Sequence, residues 1–240
     1  MKYDILGVNV DNATMSEAVA QLSEYIDTTD AHMVVTPNAE ILYVCHEDEE
    51  IKKIINSASF VAPDGIGVVY AAKSYGTPLK EKVPGCELGY NLLFEAVKKN
   101  AGVFLFGAKP GVAEKATEKL TEKLPGLRVV GTHHGYFDSD NEIITNIKEK
   151  KPDLLIVCLG SPRQEIWVYE NKEMLSGVGA IMCLGGALDV WAGNVKRAPA
   201  LLIKLRLEWL WRMICEPKRM KNLPLMFKFQ CLTRKSRQKG

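Results

Sequence analysis

The stretch that most restricts the fold runs over residues 154–165, Leu154-Leu155-Ile156-Val157-Cys158-Leu159-Gly160-Ser161-Pro162-Arg163-Gln164-Glu165. Six consecutive apolar residues after Lys151-Pro152-Asp153 are too few for an independent helix. They fit a strand covered on both faces, as in a parallel sheet. Gly160 and Ser161 end the run, and Pro162 suits the first turn of a following helix. Arg163 and Gln164 are then delivered at the carboxyl end of a central strand, where open α/β sheets bind ligands. An ordinary strand-to-helix turn with both side chains solvated fits the same residues.

The rest of the chain supplies neighbours for such a strand. Strand patterns over 5–10, 33–35, 60–62, 103–106, 128–131 and 180–184 alternate with helix patterns over 15–26, 39–46, 48–58, 67–73, 87–100, 111–124 and 141–150. The expected fold is α/β: a mostly parallel, Rossmann-like sheet with helices on both faces and right-handed crossovers. At 240 residues and 47% hydrophobic, the chain can bury a full core. No opening segment reads as a signal peptide, and no run reaches the ~20 apolar residues of a membrane span. The six cysteines (Cys45, Cys86, Cys158, Cys183, Cys215, Cys231) form no CxxC pair. Cys158 and Cys183 lie inside strand patterns and read as small core residues of a cytosolic protein.

A formal charge of +2 conceals a strong asymmetry. Residues 196–240 hold thirteen Lys/Arg against two acids, while residues 1–195 hold eighteen bases against twenty-seven acids. An acidic body (1–195) therefore precedes a basic appendage (196–240), which points to a polyanionic partner. In the appendage Leu201, Leu202, Leu205, Trp209, Leu210 and Met213 recur at helical spacing, with Lys204, Arg206, Arg212, Arg219 and Lys221 interleaved. Trp209 and Trp211 suit a water–lipid boundary. The expected partner is an anionic membrane surface and not nucleic acid, because basic tails that bind nucleic acid rarely carry such apolar residues together. A helix docked permanently on the body would show the same pattern.

Chemistry is expected at the strand ends. Thr36 and Asn38 follow the second strand pattern, Asp64 the third, and Arg163 and Gln164 the central one. Pro63-Asp64-Gly65 spells a common turn, yet a carboxylate there, beside glycines that let a ligand approach, also suits a general base. Gly107-Ala108-Lys109-Pro110-Gly111 joins a strand to a helix and is a candidate phosphate loop, although it is neither GxGxxG nor a Walker sequence. Gly185-Gly186-Ala187-Leu188-Asp189 fits a second pocket wall or, equally, a glycine turn with Asp189 as a cap. Asp138-Ser139-Asp140 spells DxD, which we read as structural, with Asp140 capping a helix. His133 and His134 are adjacent and cannot share one face of a strand, so no zinc site is expected.

Seven of these segments occur in an order that resembles the WecG/TagA/CpsF glycosyltransferases, over about residues 1–222. They are Thr36-Pro37-Asn38-Ala39-Glu40, Ala62-Pro63-Asp64-Gly65, Gly107-Ala108-Lys109-Pro110-Gly111, Gly135-Tyr136-Phe137, Gly160-Ser161-Pro162-Arg163-Gln164-Glu165, Gly185-Gly186-Ala187 and Leu207-Glu208-Trp209-Leu210-Trp211-Arg212. The TagA-type branch is the most similar. The resemblance implies an inverting, metal-independent transferase without a cofactor, peripheral on the inner face of the cell membrane. It would move N-acetylmannosamine from its UDP sugar to undecaprenyl-diphosphate-linked N-acetylglucosamine, a step in wall teichoic acid synthesis.

Residue by residue, the resemblance implies that Asp64 is the catalytic base and that Thr36, Asn38 and Gln164 line the substrate pocket. The appendage would meet the membrane and complete the site. Chemically, departing UDP needs its developing charge stabilised. That task falls to the glycine loops with Gly107, Lys109 and Gly186 and to Arg206, Arg212 and Arg219, while Arg163 is a further substrate-binding candidate. One departure is visible: Lys82 stands where the family often has arginine, keeping the charge without the bidentate fork. The donor could equally be the uronic acid of the same sugar, and homo-oligomerisation stays open. Outside this class, the rivals are another nucleotide-using enzyme or a basic-tailed binding protein without catalysis.

Overall fold

The computed structural model describes residues 1–195, 199, 210–211 and 223–236. Eight strands are found among them: β1 (Lys2–Ile5), β2 (Val8–Asp11), β3 (His32–Val35), β4 (Phe60–Val61), β5 (Gly102–Gly107), β6 (Arg128–His133), β7 (Leu154–Cys158) and β8 (Ala180–Cys183). The last six make one sheet in the order β4-β3-β8-β7-β5-β6, parallel at every pairing. β7 lies between β8 and β5 with all five residues buried, as its unbroken apolar run requires. Burying each of its large aliphatic side chains contributes about 1.5–3 kcal/mol relative to leaving it exposed.

Alternation along β7 sorts its side chains between two helix layers. Leu155 and Val157 join one core, and Leu154, Ile156 and Cys158 the other. The first layer contains α2 (Ala39–Glu47), α3 (Glu49–Asn56), α4 (Ile66–Ser74), α7 (Asp140–Lys150) and α8 (Arg163–Asn171). The second contains α1 (Met15–Ile26), α5 (Gly85–Lys98), α6 (Val112–Lys123) and α9 (Ala187–Trp191). A further helix, α10 (Leu223–Ser236), returns to the first layer against α2 and α4, where Phe229 is 1% exposed.

Two features place the functional edge. Val61, Val35, Cys183, Val157, Phe106 and His133 are paired in series, so one row crosses all six strands near their carboxyl ends. The following loops therefore emerge level. In addition, β5 leads outward to β6 while β7 leads the opposite way to β8. The crossovers part between β5 and β7, the kind of switch point at which α/β sheets bind ligands.

Local chemistry explains the boundaries. Thr14 and Glu17 form a capping box on α1: Thr14 Oγ1 accepts from Glu17 N (3.2 Å) and Glu17 Oε2 from Thr14 N (2.8 Å). Such a cap contributes about 1 kcal/mol. Asp48 Oδ1 likewise caps α3 through Glu50 N and Ile51 N.

Three expectations are corrected. Residues 5–10 are not one strand but parts of the β1–β2 hairpin, turned at Leu6 and Gly7 with φ of 55° and 83°. Positive φ at both central residues is the hairpin-turn signature, and Asp4 Oδ1 secures it by accepting from Gly7 N (3.0 Å). Asp140 does not cap α7. Ser139 holds the cap position, and Asp140 Oδ1 accepts from Trp167 Nε1 (2.8 Å), a structural role of another kind. Asp189 does not cap a helix after the glycine turn: Gly186 holds the cap position, and Asp189 lies in the first turn of α9.

Candidate active site

On the β3–β4 side of the edge, four short segments interlock. Asn38 ends the turn after β3, and its Oδ1 caps α2 by accepting from Glu40 N (2.9 Å) and Ile41 N (3.2 Å). Thr36 Oγ1 donates to Cys183 O (3.2 Å), tying the end of β3 to the end of β8. Asp64 follows β4, and its Oδ2 accepts from Gly85 N (3.3 Å) at the start of α5. Val83 N donates to Pro63 O (3.0 Å), fastening the loop before α5 to the same turn.

Gly85 lies between the two candidate groups. A Cβ there would stand 2.6 Å from Thr36 Oγ1, closer than any side chain tolerates, so only glycine lets α5 begin this near β3. A Cβ on Gly65 would sit 3.6 Å from the Asn38 Cβ, so the Asp64 turn borders Asn38 as well. Thr36, Asn38 and Asp64, far apart in sequence, thus share one corner. Gly85 is the member that sequence reasoning missed, although Pro84-Gly85 before a helix is a usable signal.

Gln164 connects this corner to the central strand. It is buried, its Oε1 accepts from Gly185 N (2.9 Å), and its Nε2 donates to Glu165 Oε1 (2.8 Å). The side chain spans the ends of β7 and β8 from within the protein. Glu165 is equally buried, and desolvation holds its carboxyl above the usual range, with the Gln164 amide and Ser161 hydroxyl acting the other way. Sequence reasoning placed Glu165 in the motif without giving it a role.

The β5–β6 side is built differently. Gly107 pairs with Cys158, and a Cβ on it would fall 2.3 Å from Cys158 O, so this glycine serves the close approach of β5 to β7. Lys109 beyond it is exposed, and Gly111 holds the cap position of α6 at φ 80°. Cβ atoms built on Gly111, Gly160 and Gly185 meet nothing within 4 Å among the described residues, so the turns after β5, β7 and β8 are not closed off by any of these. Gly186 is exposed in the same row of turns.

Arg163 does not point with Gln164. Its guanidinium carbon lies 5.1 Å from the centre of the Phe137 ring. Phe137 packs on Phe106, which packs on Trp167. Tyr136 beside it is 64% exposed. Arg163 thereby marks the outer, solvent-facing rim of the edge. Arg206, Arg212 and Arg219 lie outside the described residues.

The titratable groups narrow the chemistry. Burial pushes the Cys45 and Cys158 thiols up to about 12 and raises Cys183 as well, so these thiols stay neutral and are poor nucleophiles. Among the described residues no group of three or more His, Cys, Asp or Glu is arranged to hold a metal ion. The rings of His133 and His134 lie tilted by 54° with centroids 4.7 Å apart, and His133 Nδ1 is 2.8 Å from His134 O.

A parallel α/β sheet with a held carboxylate and open glycine turns at its carboxyl edge defines a strand-end enzyme of the Rossmann-like class. The chain belongs to the Glycosyl transferase WecG/TagA/CpsF family, which matches it over residues 3–240. It is 36% identical over 241 residues to the N-acetylglucosaminyldiphosphoundecaprenol N-acetyl-beta-D-mannosaminyltransferase of Staphylococcus aureus (strain NCTC 8325 / PS 47), covering 98% of this chain and 94% of that protein. It is 34% identical over 199 residues to the protein of the same name from Bacillus spizizenii, covering 83% of this chain and 77% of that one. The chain is a glycosyltransferase. Among its described residues no helix is long and apolar enough to cross a membrane.

Proposed function

We propose that the chain transfers N-acetylmannosamine from UDP-N-acetylmannosamine to undecaprenyl-diphosphate-linked N-acetylglucosamine, with inversion at the transferred sugar. The observation that carries this reading is the corner formed by Asp64, Thr36 and Gly85, which orients one carboxylate at the strand-end edge. The names of the relatives supply the acceptor and the transferred sugar. In the proposed step an acceptor hydroxyl oxygen attacks the anomeric carbon as the bond to UDP breaks. The electron pair leaves on the diphosphate, and the hydroxyl proton passes to Asp64. A placed carboxylate contributes ~10²–10⁴-fold to such a step.

The donor diphosphate faces the open turns after β5 and β7, with Lys109 and Arg163 at their rim and the α6 N-terminus behind them. Arg206, Arg212 or Arg219 completes its neutralisation, and the basic appendage brings the enzyme to an anionic bilayer. Attraction there is worth about 1 kcal/mol per basic residue near the surface. The test is direct. Purified protein is given UDP-N-acetylmannosamine and a short, water-soluble lipid-diphosphate N-acetylglucosamine, and the product linkage is read by NMR. A β-linked disaccharide is expected. No transfer, or an α linkage, sinks the reading, and preference for the uronic acid donor would reassign the sugar. Arg212→Ala and Arg219→Ala, assayed with the same acceptor beside liposome flotation, separate anchoring from diphosphate binding.

A further inference from the structure

Gln164 and Glu165 are the most buried polar side chains among the described residues, each 3% exposed. Their hydrogen bonds run in one direction. Gly185 N can only donate, so the atom it meets must be an acceptor, and Gln164 Oε1 stands there at 2.9 Å. The amide nitrogen must then face the other way, where Glu165 Oε1 accepts from it at 2.8 Å. Turning the amide over would set N–H against N–H at Gly185 and oxygen against oxygen at Glu165. The Gly185 N–H and the Glu165 acceptor therefore favour the same orientation of the Gln164 amide, and Glu165 secures its nitrogen end.

Glu165 is also a costly residue to bury. Its Oε2 is buried and has no hydrogen-bond partner among the described residues. Among the described residues the Gln164 amide, the Ser161 hydroxyl and the thiols of Cys45 on α2 and Cys183 on β8 act on it, all four of them neutral. An apolar residue of the same length would pack there without the penalty of an unpaired polar atom. A buried acid retained in such a place needs a reason in what it holds.

We propose that Glu165 is a positioning residue for sugar transfer: by accepting from Gln164 Nε2 it locks the amide whose oxygen holds the Gly185 N–H, and so fixes the glycine turn after β8. That turn follows Cys183, whose carbonyl receives the Thr36 hydroxyl, so the lock extends to the corner containing Asp64. Only the acceptor is required, not a charge, so the neutral acid or an amide in its place does the same work. The activity arm of the test rests on the transfer reading above, while the structural arm does not.

The variants are Glu165→Met, which keeps the length and removes the acceptor, and Glu165→Gln, which keeps the acceptor. Each is made alone and with Gln164→Ala in the full chain. The readouts are kcat and KM for transfer and amide hydrogen exchange at Gly185. Glu165→Met should lower kcat about tenfold and speed Gly185 exchange about tenfold, the scale of one hydrogen bond. Glu165→Gln should stay within about threefold of the parent in both. With Gln164→Ala already present, Glu165→Met should add less than about twofold, because its route is gone.

Unchanged Gly185 exchange in folded Glu165→Met overturns the proposal, as does damage from Glu165→Gln equal to that from Glu165→Met. Effects that multiply in the double variant overturn it too. If the parent protein transfers no sugar, the functional reading falls, and the exchange measurements still decide the role of Glu165.

Discussion

The two halves of the carboxyl edge are made from the same sheet and differ in how they are held. Around β3, β4 and β8, Thr36, Asp64 and Gln164 are fastened to backbone from distant segments, at Cys183, Gly85 and Gly185, and Asn38 is fastened locally to Glu40 and Ile41. Around β5 and β6, Lys109 and Tyr136 are exposed, and Arg163 lies on an aromatic ring at the rim. A group that moves a proton must be placed within a few tenths of an ångström. Groups that gather a flexible, charged ligand tolerate more freedom. On the proposed reading, bond chemistry belongs to the fastened half and donor capture to the open one.

The comparison can be broken most easily at Asp64. Asp64→Asn keeps the shape and the contact with Gly85, so turnover should fall ~10²-fold or more while UDP-sugar affinity, read by calorimetry, changes little. Gly85→Ala should come next. Its methyl would press on Thr36, displacing both neighbours, and turnover should drop about tenfold with a small change in melting temperature. On the open half, Arg163→Ala and Lys109→Ala should each raise KM for the donor about threefold to fivefold and leave kcat nearly unchanged. A kcat loss there as large as that of Gly85→Ala would erase the distinction. Smallest of all, Asp138→Ala should change turnover less than about twofold, and activity should survive EDTA. Restoration of a chelated enzyme by Mg²⁺ or Mn²⁺ would revive a metal role for Asp138.

What could be read in advance follows the range of the forces involved. The strand–helix rhythm is local, and the buried β7 and the helix starting at Met15 stand where periodicity and turn residues put them, although β7 stops at Cys158, one residue short of its apolar run. The hairpin escaped because Ile5 and Val8 continue one apolar pattern across Leu6-Gly7, and a positive φ at leucine leaves no mark in composition. Asp64, Thr36 and Asn38 were legible as polar residues at strand ends. Their convergence was not, because it depends on the sheet order that sets β4, β3 and β8 side by side. Gly85 and Glu165 were least visible. One acts by lacking a side chain, the other by a hydrogen bond inside the protein.

Helix α10 belongs to the basic stretch by sequence and to the body by packing. α9 lies in one helix layer and α10 in the other, where Phe229 is buried against α2 and α4 near Gly67. Residues 223–236 are therefore part of the core and not an addition to it. Truncation after Val195 is for that reason a poor probe of the appendage's charges. That cut removes Phe229 from the core as well, and losing a buried aromatic side chain alone costs about 3–5 kcal/mol. Replacing Lys196, Arg197, Lys204, Arg206, Arg212, Lys218, Arg219 and Lys221 with glutamine would keep Phe229 in the core and the apolar residues in place, and remove only the positive charge of residues 196–222.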